Sequence, residues 1–284
     1  MAKLNVIRRY LGLQFHIQSE EDFNGIYNEV LDGVMMKGAN LWVLGIAMIM
    51  ACIGLTTNSI SAVIGAMLIS PLMGPIIGFS FGLAINDKNL RRRGIQNWLV
   101  MTMVSLLAAT LFFLLNPFDN STEMLEAFKK ASIFDIALAF FGGMAGFIGI
   151  LKKEGVKIIA GVAVATACMP PVCTAAYGLA HGDFSIFIGG FYFYFINCLF
   201  IGWATFLLTR YLKIQKIDNN KNLSKKSIVL WDVLIVLMMI PGIYIAYQKW
   251  KMEEGKTAPL TEKQKIELLE KRIERLEATQ KMMK

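Results

Sequence analysis

Apolar residues run along this chain in blocks long enough to cross a bilayer, and polar residues are confined to the short intervals between them. The blocks lie at about 41–55, 60–85, 98–115, 133–151, 156–180, 186–209 and 228–247. A helix needs about 20 predominantly apolar residues to cross roughly 30 Å of hydrocarbon. The pattern therefore predicts an all-α fold, a polytopic transmembrane helix bundle of about seven spans. The first block reaches that length only if 35–40 extend it, and the second and fifth are long and contain prolines.

Composition agrees: 55% of the 284 residues are hydrophobic, 18% are charged, and mean hydropathy is +0.51. This excludes a disordered chain and an ordinary soluble enzyme. The first 20 residues lack the apolar core of a cleavable signal peptide.

The net charge of +8 comes from 29 basic and 21 acidic side chains, and the basic ones alternate between loops. Lys88, Arg91, Arg92 and Arg93 follow the second block. Lys152, Lys153 and Lys157 follow the fourth, and Arg210, Lys213, Lys216, Lys221, Lys225 and Lys226 follow the sixth. Loops 56–59 and 181–185 have no Lys or Arg, and 116–132 has only Lys129 and Lys130. The basic side of a membrane protein faces the cytoplasm. The expectation is an integral protein of a bacterial inner (plasma) membrane, with its amino terminus cytoplasmic and its carboxyl terminus extracytoplasmic. The excess charge reads as topology, not as nucleic-acid binding.

The second and fifth blocks share a pattern at an offset of about 96 residues. Gly65 matches Gly161, Ser70 matches Thr166, Pro75 matches Pro171, and Gly82-Leu83-Ala84 matches Gly178-Leu179-Ala180. Ile53-Gly54 matches Ile148-Gly149 with a one-residue slip. Two three-span repeats follow, at about 40–116 and 133–210, with an extra span at 228–247. Three is odd, so the second repeat starts on the opposite face, the inverted topology of many secondary transporters.

Ser70-Pro71-Leu72-Met73-Gly74-Pro75 and Thr166-Ala167-Cys168-Met169-Pro170-Pro171 should each open a helix, because proline lacks an amide donor and disfavours helix before itself. Open backbone at mid-membrane is tolerated where protein or a wet cavity satisfies it. The candidate substrate-binding residues are thus Ser70, Pro71, Gly74, Pro75, Thr166, Pro170, Pro171 and Thr174, with Asn58 and Asn197 as outer members. They suit a neutral solute, an anion at helix amino ends, or a Na⁺ held by carbonyls and hydroxyls. The competing reading is a pair of kinks that only shape the bundle.

Span interiors hold almost no ionisable groups, and His16 and His181 lie outside the spans, which disfavours a proton relay. No nucleophile–base pair, metal cluster or phosphate loop is visible, so neither catalysis nor a cofactor is expected. Cys52, Cys168, Cys173 and Cys198 read as packing residues.

Residues 1–39 form a cytoplasmic segment. Within it Phe23, Ile26, Tyr27, Val30 and Val34 recur at helical spacing, an amphipathic helix on the inner face or packed under the bundle. The transmembrane domain covers 40–247 and an extracytoplasmic tail 248–284. In the tail, Ile266, Leu269, Ile273, Leu276, Gln280 and Met283 take heptad a and d positions over about 261–284. Such a coil favours a parallel dimer, with a trimer open. The partners expected are the lipid bilayer and a second copy of the chain.

The string Gly65-Ala66-Met67-Leu68-Ile69-Ser70-Pro71-Leu72-Met73-Gly74-Pro75 stands with Asn58-Ser59, Gly142-Gly143, Met169-Pro170-Pro171 and Phe195-Ile196-Asn197. Together they resemble the DUF389 family of hydrophobic membrane proteins of unknown function, over about 33–212. The resemblance implies a multispan membrane protein and supplies no activity. The functional expectation is an oligomeric transporter or carrier-like channel for a small solute or ion. The alternative is a non-transporting scaffold or sensor whose coiled coil is the output.

Overall fold

The computed structural model describes residues 23–35, 38–116, 122–129, 131–151, 168–212 and 214. The chain divides into unit 1–239 and unit 240–284, the second lying wholly outside the described residues. The helices are α1 (Phe23–Val34), α2 (Gly38–Thr56), α3 (Ile60–Ile69), α4 (Met73–Ala84), α5 (Lys88–Leu115), α6 (Glu123–Ala127), α7 (Ile133–Leu151), α8 (Met169–Ala180) and α9 (Phe184–Tyr211). No strand occurs among the described residues.

The all-helical, membrane-like character read from the apolar blocks is present. α2, α5, α7 and α9 are long and apolar enough to span, and α3 with α4 make a fifth unit bent by 49° at its break, a broken span or a re-entrant loop. Most of the fifth block's first half, the seventh block and the coiled-coil tail lie outside the described residues.

The helix bounds recur along the chain. α4 and α8 each have 12 residues and start at Met73 and Met169. α5 and α9 each have 28 and start at Lys88 and Phe184. Both steps are 96 residues. α2 and α7 each have 19 and start 95 residues apart, at Gly38 and Ile133.

The turns recur too. Asn86 (φ 59°) and Gly182 (φ 68°) take the left-handed conformation that Gly and Asn tolerate best. Asp87 then caps α5, accepting from the amides of Asn89 and Leu90 at 2.9 and 3.0 Å. Asp183 caps α9 in the same way, from Ser185 and Ile186 at 2.9 and 3.2 Å.

The short helices form the core. Ten of the 12 residues in α4, and ten of 12 in α8, are buried. α4 packs on α5, α9 and α1, whereas α8 packs on α9, α5, α2 and α6. α5 buries Met101, Ser105, Ala109 and Phe113 and exposes Leu99, Met103, Leu107 and Leu111, a face suited to hydrocarbon. Close packing rests on glycine: a Cβ on Gly94 would meet the Phe79 backbone at 2.6 Å, and one on Gly190 would meet that of Ala175 at 2.6 Å. A Cβ on Gly82 would lie 2.8 Å from the Arg91 amide near the start of α5. The Tyr177 ring, in contrast, meets Phe113 near the end of α5 with centroids 5.2 Å apart. α4 and α8 therefore run toward opposite ends of α5.

α1 packs on the bundle. Its stripe Ile26, Val30 and Val34 is buried. Asn97 Nδ2 donates to the Val34 carbonyl at 2.5 Å, and the Tyr27 hydroxyl donates to Asp87 Oδ2 at 3.1 Å.

Candidate functional site

The first break is built by Ser70. It ends α3 in an extended conformation (ψ 128°), its amide donates to the Met67 carbonyl, and its Oγ accepts from the Leu72 amide at 3.4 Å. Pro71 cannot donate in the next position. α4 restarts at Met73, so Pro75 falls in a first turn, where amides have no intrahelical acceptor anyway. Pro170 and Pro171 sit equivalently in the first turn of α8. These prolines start helices; the kink expected at each of them is confined to the Ser70–Leu72 segment among the described residues. Pro71 is half-buried, whereas Pro75, Pro170 and Pro171 are buried.

A cavity of about 440 Å³ opens beside this break. Met73, Gly74 and Ile77 of α4 form one wall, α1 supplies Asn28, Glu29 and Asp32, and Ile150 of α7 closes part of the rest. Gly74 is in direct contact with the Gly33 carbonyl, and Gly78 leaves room only for the Val34 side chain, so α1 is wedged against the start of α4. Burial, followed by the charge of Asp87, raises the Tyr27 phenol above its usual range and keeps it a donor at the far end of α1.

The second break is only half within view. Thr166 lies outside the described residues. Thr174 is fully buried, and its hydroxyl has no hydrogen-bond partner among the described residues. Beside it, Cys173 Sγ lies 3.5 Å from Cys52 Sγ of α2. α4 and α8 take α5 and α9 as common neighbours.

The outer candidates separate from this centre. Asn58 is exposed in the α2–α3 turn with φ 52°, and its Oδ1 accepts from the Met124 amide at 3.3 Å. Thr122 Oγ1 donates to the Leu55 carbonyl at 2.6 Å, so this end is tied to α6. Asn197 is buried within α9.

No group of three or more His, Cys, Asp or Glu side chains able to hold a metal occurs among the described residues. Sequence reading missed the role of Gly33, and it took Cys52 as a packing residue without naming Cys173 as its neighbour. A signal for close packing was present in Gly74, Gly78 and Gly82, a glycine every fourth residue, which lets helices approach in a membrane.

Residues 67–203 match the family model of DUF389, a domain of unknown function, and the resemblance carried by the proline strings is thereby shown over that stretch. An uncharacterized protein of Methanocaldococcus jannaschii is 22% identical over 230 residues, covering 77% of this chain and 70% of that one. No solved structure matches.

Proposed function

We propose that this DUF389 protein is a membrane carrier, or carrier-like channel, for a small solute or ion, assembled from two inverted repeats. The observation that carries the reading is the pair α4 and α8. They have equal length, start 96 residues apart, have proline in the first turn, are buried, and run toward opposite ends of α5. Half-helices of this kind hold substrate at the repeat interface of many transporters, with amide ends for anions and free carbonyls for cations.

A difference between the two proposed repeats at one equivalent contact supports alternating access. In the repeat correspondence Cys52 and Cys173 stand where Phe147 and Ile77 stand in the other half. α8 is closed on α2 at the cysteine pair, while Ile77 lines the 440 Å³ cavity between α4, α1 and α7. Exchanging the two arrangements closes that cavity and parts Cys173 from Cys52. In this mechanism Ser70 and Gly74 flank the solute on one side and Pro170, Pro171 and Thr174 on the other.

The test is flux through vesicles reconstituted with the full chain, surveyed over monovalent anions, monovalent cations and small neutral solutes. The carrier reading expects saturable flux of one class, diminished by Gly74→Leu. Absence of flux in all three classes overturns it. The heptads of 261–284 favour a second reading, a dimeric scaffold or sensor. Deleting the tail separates the two, because a carrier keeps its flux and a scaffold loses its output.

A further inference from the structure

A second cavity, of about 170 Å³, lies between α4, α5 and α9, on a different side of α4 from the cavity beside the break. Its walls are almost wholly apolar, with Phe79, Leu83, Ile95, Leu199 and Phe206 among them, and Ser80 is a lone polar contribution of α4. At roughly 30 Å³ for a water-sized group, it holds a short length of hydrocarbon chain and no headgroup.

Its position relative to charge is specific. Arg91 stands one turn before Ile95 on α5, and Arg210 one turn after Phe206 on α9. Both helices have 28 residues, more than the hydrocarbon layer needs, so these ends reach the boundary with water. Neither guanidinium has an ion-pair partner among the described residues. Trp98 and Trp203 line the same cavity, each seven residues from its arginine and so on the same helix face. Indole rings favour the depth just beneath the headgroups. Both indole N–H groups are shut off from solvent and have no hydrogen-bond partner among the described residues.

We propose that this cavity is a site for an anionic phospholipid. A stretch of acyl chain enters between α4, α5 and α9, the ester groups lie at the level of Trp98 and Trp203, and the phosphate is held by Arg91 and Arg210. Basic residues above an apolar intramembrane pocket have the chemistry that selects acidic headgroups. The inference is independent of solute transport and stands for a carrier and a scaffold alike.

The test uses the full chain in detergent, with Trp42→Phe, Trp231→Phe and Trp250→Phe so that Trp98 and Trp203 report. Phosphatidylglycerol with a brominated acyl chain should quench their fluorescence saturably. Brominated phosphatidylcholine should need roughly tenfold more lipid or beyond. Arg91→Gln with Arg210→Gln, changes at the bundle's rim, should abolish that preference. Ile95→Phe with Leu199→Phe, which fills the cavity, should remove saturation while helical circular dichroism is retained. Equal quenching by the two lipids, or a preference unmoved by the arginine changes, overturns the proposal. Displacement of the lipid by millimolar inorganic phosphate also overturns it, because the site is then for a free anion.

Discussion

Cys52 and Cys173, 121 residues apart in the chain, hold their sulfurs 3.5 Å apart and so join α2 to α8. A disulfide needs about 2.05 Å, an approach of roughly 1.5 Å that a small shift of either helix supplies. In a Cys168→Ser, Cys198→Ser background, dissolved oxygen with copper phenanthroline as catalyst should take two protons and two electrons from this pair and link it. Non-reducing electrophoresis after cleavage between the cysteines reads the link. If the contact is the closed gate of a carrier, flux should fall to background on oxidation and recover with reductant. Linkage with undiminished flux removes the gate from the mechanism.

Under the carrier reading, the complementary pair is Ile77 and Phe147. In the state described, Ile77 faces the 440 Å³ cavity. Ile77→Cys with Phe147→Cys, in a chain without its native cysteines, should cross-link poorly at rest. A transported solute should raise the yield severalfold. A yield that is high and insensitive to solute contradicts the exchange of arrangements.

Much of this architecture is legible in the residues. The apolar blocks mark α2, α5, α7 and α9, and Gly82-Leu83-Ala84 against Gly178-Leu179-Ala180 gives the same 96-residue step that separates the ends of α4 and α8. The start of α5 was less visible. Its apolar block begins at 98 but the helix begins at Lys88, because its first turns are polar and extend beyond a hydrocarbon slab. Asp87 as an N-cap was the available sign. The prolines were legible as a break but not as helix starts, since an apolar run carries no mark of where one helix ends within it. The Gly33–Gly74 and Cys52–Cys173 contacts leave no periodicity, because they join segments distant in sequence.

Gly94 and Gly190 should fail alike. Each admits a neighbouring backbone at 2.6 Å from where a Cβ would stand. Gly94→Ala and Gly190→Ala should each destabilise the bundle by about 1–3 kcal/mol through overpacking. Gly65 meets nothing within 4 Å among the described residues, and Gly65→Ala should be neutral or stabilising by up to about 1 kcal/mol. Thermal unfolding in detergent ranks the three. Tolerance of alanine at only one of the first two argues against equivalent packing in the two halves.

Tyr27→Phe removes the hydroxyl that ties α1 to Asp87 at 3.1 Å. The expected loss is about 0.5–1.5 kcal/mol in the docking of α1. The folded phenol holds its proton more tightly than the free one, so its contribution is full below about pH 10 and fades as pH rises through the higher folded value. Proteolysis within 23–35 should therefore accelerate only in strong alkali in the wild type. In the variant it should be faster already at pH 7 and lack that alkaline step.

Thr174 offers the sharpest division between packing and function. Its hydroxyl is buried without a partner among the described residues, and a buried polar group in that condition is a liability of about 1–3 kcal/mol. Thr174→Val keeps the shape and removes the hydroxyl, so thermal stability should hold or rise. If the hydroxyl serves a passing solute, flux should drop about tenfold in the same variant, and Thr174→Ser should restore most of it. A stabilised Thr174→Val protein with unchanged flux places Thr174 in the packing of α8 alone. The solute would then have to be met by the helix ends themselves.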